Sequence, residues 1–124
     1  MPQDQLIDLI IQALLHLVPE AREGRVRGRR PARYRRADCD GRALAFLRPR
    51  TAKGGGVRVD LSGLWVRPGP WPTEISGRSG SASLLVETET QARAAGAYLA
   101  WAVQRTRHLL ARERGAHGRP SIGL

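Results

Sequence analysis

The residues best suited to chemistry in this sequence are the arginines of the segment REGRVRGRRPARYRR. Eight arginines lie between Arg22 and Arg36, against one acid, Glu23. A guanidinium group binds a phosphate through two parallel donors and stacks on nucleobases. Clustered cations also gain affinity for a polyanion by releasing its counterions. The pattern therefore predicts a surface that binds nucleic acid (DNA or RNA) or another polyanion.

We predict that three groups of basic side chains contact phosphate. The first lines the arginine-rich segment, the second follows it along the chain, and the third lies on the last helix. They are Arg25, Arg27, Arg29, Arg30, Arg33, Arg35 and Arg36, then Arg48, Arg50 and Lys53, and finally Arg105 and Arg112.

Two tryptophans lie in a stretch rich in proline and glycine, from about Leu64 to Gly80, which predicts a long irregular loop. Trp65 and Trp71 are candidate stacking platforms for unpaired bases, as in proteins that bind single strands. The alternative is that both rings anchor the loop to the core.

The net charge of +10 favours anionic partners, because a field of that sign attracts phosphates and acidic proteins. All the basic residues except Lys53 are arginines. Codon usage in a GC-rich genome is an alternative reason for arginine in place of lysine, and a solvated basic surface without a ligand is the alternative to a binding site. Codon usage does not account for the size of the charge excess, and the solvated surface remains an open alternative.

No catalytic, metal or cofactor site is predicted. Lys53 precedes Gly54-Gly55-Gly56, whereas a phosphate-binding loop places its lysine after the glycines and opens a helix. Asp38 and Asp40 have the spacing of the start of a calcium loop but lack its later ligands. The histidines and Cys39 share no metal-ligand spacing.

The single cysteine excludes an internal disulfide framework and fits a reducing compartment. The opening residues MPQDQLIDLI carry acids where a secretory signal needs a basic flank. The apolar run from Leu6 to Val18 is too short and too polar to span a bilayer. We therefore expect a cytoplasmic protein with no membrane partner.

A first helix is predicted from about Asp4 to Val18. Its polar residues follow each other at steps of three or four and form one narrow stripe, comprising Gln5, Asp8, Gln12 and His16. So narrow a stripe indicates that the helix is covered on most sides. The cover is either its own sheet or a second subunit, so a homodimer or a protein partner at this helix is one hypothesis.

Four strands and a second helix follow. The strands are predicted at residues 32–37, 42–48, 57–61 and 83–86, with a tight turn at Asp38-Cys39-Asp40-Gly41 between the first two. Thr88 and Gln91 have the spacing of a capping box, which predicts a helix from Glu89 to about Arg112.

Strands grouped between terminal helices predict an α+β fold with order α-β-β-β-β-α. Both helices are expected on one face of a mostly antiparallel four-stranded sheet. Residues 1–114 are predicted to form a single domain, and residues 115–124 a flexible tail.

This order of elements resembles the YjbR-like family. The resemblance is carried by a terminal helix, a meander around RALAFLRPR and GVRVDL, and a strand entering a capped helix at LLVETETQARAAGAYLAWA. The arginine-rich segment and the proline-rich loop depart from that family's pattern. The resemblance implies a small fold similar to frataxin and a function in DNA binding.

Three classes of function remain. The first is a non-enzymatic, nucleic-acid-binding accessory protein. The second is a protein–protein interaction module that binds an acidic partner or self-associates through the first helix. The third is a small hydrolase whose carboxylates converge only in the fold. The absence of a catalytic motif in the sequence places the hydrolase last.

Overall fold

The computed structural model describes residues 1–24, 34–50, 55–69 and 83–118, with side chains as far as Gly115. Two helices and five strands lie in these ranges. In chain order they are α1 (Gln3–Leu17), β1 (Arg22–Gly24), β2 (Arg35–Cys39), β3 (Arg42–Pro49), β4 (Val57–Leu61), β5 (Ser83–Val86) and α2 (Glu89–Gly118). The strands form one antiparallel sheet in the order β1-β2-β3-β4-β5. The predicted α+β class is confirmed.

The predicted count of four strands is wrong for the described residues, because β1 adds a fifth at the edge of the sheet. Its three residues pair with β2, Arg22 opposite Asp38 and Gly24 opposite Arg36. The sequence Arg-Glu-Gly has no apolar alternation, so no local pattern marks it as a strand. Short, charged edge strands are common because they discourage pairing with other chains.

The turn between β2 and β3 has the predicted chemistry. Asp40 and Gly41 both have positive φ, 53° and 74°, as a two-residue hairpin turn requires at both central positions. The strand before this turn begins at Arg35, three residues later than the predicted start at Ala32. Residues 25–33 lie outside the described part of the chain.

The core lies between the sheet and the two helices. It takes apolar residues from one face of α1, from alternate positions of the strands and from the small-residue side of α2: Leu6, Ile7, Ile10 and Leu14, then Ala37, Leu47, Val57, Val59, Leu84 and Val86, then Ala92, Ala95, Leu99 and Val103. The polar stripe of α1 is exposed, as predicted. Five of its apolar residues, Leu6, Ile7, Ile10, Ile11 and Leu14, are buried within the same chain, whereas Leu17 is 48% exposed. A homodimer or protein partner at this helix stays a prediction.

The helices cross closely at Gly96. A Cβ atom there would lie 2.5 Å from the carbonyl oxygen of Ile10 and 2.6 Å from the Cβ of Ala13. Helix α1 and helix α2 therefore touch backbone to backbone, and this position has no room for a side chain.

The start of α2 matches the predicted capping box. The amide of Gln91 donates to Thr88 Oγ1 (3.2 Å), and Gln91 Oε1 accepts from the amides of Thr88 (3.2 Å) and Glu87 (2.7 Å). The helix continues to Gly118, past the predicted end near Arg112 and past the predicted domain boundary at residue 114. A glycine in an exposed helix costs only about 1 kcal/mol, so Gly115 does not end it. Residues 119–124 lie outside the described ranges.

Neither α1 nor α2, the helices in the described ranges, is long and apolar enough to cross a membrane.

Candidate nucleic-acid interface

The sheet face opposite the helices carries most of the polar residues of the strands. Partners in antiparallel register share a face, and Phe46 lies opposite both Arg36 on one side and Asp60 on the other, while Arg48 lies opposite Arg58. We call this surface the open face. Its residues are Tyr34, Arg36, Asp38, Phe46, Arg48, Arg58 and Asp60.

Two half-buried aromatic rings lie side by side on the open face. The centroids of Tyr34 and Phe46 are 5.9 Å apart, with the ring planes 69° apart, an edge-to-face contact. The guanidinium carbon of Arg48 lies 5.1 Å from the Tyr34 centroid and 5.7 Å from the Phe46 centroid. Arg48 therefore covers part of both rings through cation–π contacts.

Ion pairs occupy the rest of the open face. Asp60 accepts a hydrogen bond from Arg58 Nε (2.9 Å), lies 3.2 Å from Arg48 Nε, and also accepts from the hydroxyl of Ser83. Arg36 Nη2 donates to Asp38 Oδ2 over 2.9 Å. Three arginines thus share two carboxylates, and this face has an excess of positive charge.

Arg35 points to the other side of the sheet. Its Nη2 lies 2.6 Å from Glu23 Oε1 and 2.7 Å from Asp8 Oδ1, so it joins β2 to β1 and to α1. Hydrogen bonding to Glu23 raises the pKa of Arg35 further above its ordinary value. Arg35 therefore has a structural role. Of the neighbouring predicted residues Arg35 and Arg36, only Arg36 lies on the open face.

Arg48 and Arg50 lie at one end of the sheet, which we call the arginine end. Gln3 Nε2 donates to the carbonyl oxygens of Arg50 (2.5 Å) and Gly56 (2.9 Å) and fixes the end of β3 there. The segments 25–33 and 51–54 join the sheet at this end, because β1 ends and β2 and β4 begin there. The predicted residues within them lie outside the described part of the chain: Arg25, Arg27, Arg29, Arg30, Arg33 and Lys53.

The predicted basic residues of α2 lie in its second half, towards the opposite end of the sheet. Arg107 binds Asp40, in the β2–β3 turn, through two hydrogen bonds of 2.6 and 2.9 Å, and its Nη1 lies 2.5 Å from Glu20 Oε1. Arg105 and Arg112 are exposed on the same part of α2. Among the predicted residues that the structure describes, Arg48 and Arg50 therefore lie at one end of the domain, and Arg105 and Arg112 towards the other.

Arg107 stabilises the negative charge of both carboxylates that it binds. Its hydrogen bonds hold the pKa of Asp40 and the pKa of Glu20 below their ordinary values. Burial raises the pKa of the neighbouring Cys39 thiol, whereas a reactive cysteine needs a lowered one. This cluster joins α2 to the hairpin and has no feature of a catalytic site.

Trp65 is not a stacking platform. Its side chain is only 4% exposed, its Nε1 donates to the carbonyl oxygen of Ala43 (2.8 Å), and the guanidinium of Arg42 lies 4.7 Å from its ring centroid. The amide of the next residue, Val66, donates to the buried hydroxyl of Thr106. The ring thus anchors the start of the loop to the core. Trp71 lies outside the described residues.

Arginines bind carboxylates of both the sheet and α2. Asp60 is bound by two arginines, and Glu89 pairs with Arg93 one turn along α2, at 2.8 Å. Within the ranges that the structure describes, no group of histidine, cysteine and acidic side chains is placed to hold a metal ion.

The framework and the arginine-rich segment differ in charge balance. The described residues contain thirteen arginines and ten acidic residues, whereas residues 25–33 contain five arginines and no acid. Seven of the framework acids form ion pairs within the framework: Asp8, Glu20, Glu23, Asp38, Asp40, Asp60 and Glu89.

Tyr34, Phe46 and Arg58 were not among the predicted site residues. The signal that could have found them is the two-residue period of the strands. In Tyr34-Arg35 and in Val57-Arg58-Val59, alternate residues lie on opposite faces of the sheet.

Comparison of the chain with protein-family models, curated proteins and solved structures gives no match. The resemblance to the YjbR-like family therefore stays a prediction.

Proposed function

We propose that this protein is a non-enzymatic, nucleic-acid-binding accessory protein that contacts phosphates at the arginine end of its sheet. The observation that carries the proposal is the division of charge. Thirteen framework arginines are offset by ten framework acids, and six of these arginines form ion pairs, whereas residues 25–33 add five positive charges and no negative one. Such a cluster is relieved by an anionic ligand, and a phosphate backbone offers many charges at close spacing.

The exposed arginines beside this segment extend the same surface. The side chains of Arg48 and Arg58 are 49% and 58% exposed, and they lie opposite each other on β3 and β4. A nucleic-acid strand held at residues 25–33 and continuing across the open face would meet these two guanidinium groups next. Sequence-independent phosphate contacts of this kind position a protein and supply most of its non-specific affinity.

The test is binding of fluorescently labelled single-stranded DNA, duplex DNA and RNA, measured by anisotropy over a salt series. We compare the wild type with R27Q/R29Q/R30Q, which removes three charges at the arginine end. The matched control is R105Q/R112Q/R114Q, which removes three exposed charges on α2, away from the arginine end. Arg35 and Arg36 are left intact, because Arg35 joins β2 to β1 and α1, Arg36 pairs with Asp38 within β2, and their loss would confuse binding with folding.

The arginine-end variant is expected to bind more weakly. The slope of log affinity against log salt should fall in magnitude by about 2 to 3, as three lost phosphate contacts require. The control variant should keep most of the wild-type slope. An absence of wild-type binding to all three nucleic acids at low salt contradicts the proposal, and equal losses in the two variants contradict the placement of the site.

A second candidate, a protein–protein interaction module, is favoured by a groove at the far end of α2. The groove encloses about 580 Å³ and is lined mainly by apolar side chains, with two arginines and one acid: Leu64, Val66, Leu109 and Leu110, then Arg42, Arg112 and Glu113. Such a surface fits an apolar segment of an acidic partner. Polyglutamate distinguishes the two candidates: binding as tight as that of nucleic acid of equal charge favours the second.

A further inference from the structure

We propose that Tyr34 and Phe46 form a stacking site for unpaired bases, which makes single-stranded nucleic acid the preferred ligand of the open face. This inference rests on the proposed function and adds to it the class of nucleic acid. The sequence did not predict a role for these two rings, because the candidate stacking residues were Trp65 and Trp71.

The two rings have the placement that such a site needs. Phe46 is on β3, in the middle of the sheet, and Tyr34 immediately precedes β2, so a rigid backbone holds both. Both rings are half-buried, which fixes them while leaving part of each surface accessible. Open sheets with aromatic side chains hold splayed bases in this way, and stacking tolerates any base sequence because every base has a π-face.

Two arginines lie beside the rings, where they can contact the phosphates of a strand whose bases stack there. Arg48 contacts both rings and also Asp60, and Arg58 contacts the same carboxylate. One carboxylate cannot use all the donors of two guanidinium groups, since each has five N–H bonds. A base that stacks on Phe46 takes the place of Arg48 over the ring, and Arg48 then turns to the adjoining phosphate.

The charge of the open face complements this ligand. Three of its arginines face two aspartates, and residues 25–33, which directly precede Tyr34 in the chain, include five further arginines. On β5, Leu85 lies opposite Arg58 and is only 8% exposed, so the open face is little accessible on this side. The accessible strip is therefore the β2–β4 part, which carries both rings. Bases of a duplex are already stacked and paired, so a duplex can use the arginines of this strip but not the rings.

The first experiment needs only the wild-type protein. Its affinity for a twenty-residue oligothymidylate is compared with its affinity for an abasic strand of the same length and charge. Stacking of even one base is expected to make the oligothymidylate bind about fivefold or more tightly. Equal affinities overturn the inference, since phosphate contacts alone then account for binding.

The second experiment tests whether these two rings contact the bases. Y34L and F46L keep an apolar side chain but remove the π-face, while Y34F and F46Y keep a ring and serve as matched controls. Each leucine variant should lose about fivefold or more in affinity for oligothymidylate or oligouridylate, and less than twofold for duplex DNA. The controls should stay near wild type, and circular dichroism establishes which variants are folded.

The outcomes separate the two proposals. Leucine variants that bind single strands as the wild type does, beside an R27Q/R29Q/R30Q protein that binds them weakly, overturn the stacking site and leave phosphate binding intact. Loss of binding to the duplex as well as to single strands also overturns the stacking site, because the rings then act through the structure. A wild type that binds no nucleic acid removes both.

Discussion

Replacement of Gly96 by alanine is expected to destabilise this protein, although alanine is the better helix former. The new Cβ atom would lie 2.5 Å from the carbonyl oxygen of Ile10, 2.6 Å from the Cβ of Ala13 and 3.0 Å from the amide nitrogen of Leu14. These three atoms belong to the backbone of α1 or are fixed directly to it. A rotamer change cannot relieve the contacts, so α1 and α2 must move apart.

The size of the effect follows from two opposing terms. Ordinary contact begins near 3.4 Å, so the helices must separate by almost 1 Å at the crossing, where Ile10 and Leu99 are fully buried. Overpacking costs about 1 to 3 kcal/mol, and contacts below 3.0 Å with backbone atoms place this substitution in the upper part of that range, at about 2 to 3 kcal/mol. The higher helix propensity of alanine returns about 1 kcal/mol. We expect a net loss of about 1 to 2 kcal/mol, which lowers Tm by about 4 to 8 °C in a domain of this size.

Urea and thermal unfolding followed by circular dichroism measure this difference. The matched control is G115A, the same substitution on the same helix, at an exposed position where an added Cβ meets no atom within 4 Å. G115A should leave stability unchanged or raise it slightly. A G96A protein as stable as the wild type would refute the argument that the two backbones touch here.

Two further predictions concern the far end of α2. R107M should lower Tm by about 2 to 4 °C at pH 7, a modest loss because the ion pairs that it breaks are partly exposed to solvent. Arg107 lowers the pKa of Asp40 in the folded state, so its contribution is complete above the unfolded pKa and disappears as pH falls through the folded pKa. Urea titrations between pH 2 and 7 should therefore show R107M and wild type converging in acid, and a constant difference would contradict the assignment. T106V should cost about 1 to 3 kcal/mol in urea unfolding, because the amide of Val66 loses its acceptor. The exposed control T90V should change stability by less than 0.5 kcal/mol, as surface substitutions usually do.

The features that could be predicted from the sequence are those fixed by neighbouring residues. The capping box at Thr88, the Asp40-Gly41 turn and the polar stripe of α1 each depend on side chains within four residues of one another. These features can therefore be predicted without knowledge of the fold. The third strand of the predicted set, β4, was also placed correctly, because its apolar and charged residues alternate strictly.

The features that were missed depend on contacts between distant residues. The strand β1 exists because β2 lies beside it, and Trp65 is buried because Ala43 and α2 close over it. The same holds for the site. Sequence indicated the arginines but not their division between two ends of the domain, which depends on the direction of α2 across the sheet.

The sheet is a meander in which every strand pairs with the strand next to it in the chain. Such a sheet can form progressively as the chain emerges from the ribosome, since each strand pairs with the one before it, and the long connection at residues 62–82 adds little to the entropy cost of loop closure. The two helices behave differently, because α1, synthesised first, packs against α2, synthesised last. The apolar face of α1 therefore stays uncovered until α2 has been synthesised; it includes Leu6, Ile10 and Leu14. A nonsense codon before residue 89 would yield a chain with an unprotected apolar helix, the kind of surface that chaperones and proteases recognise.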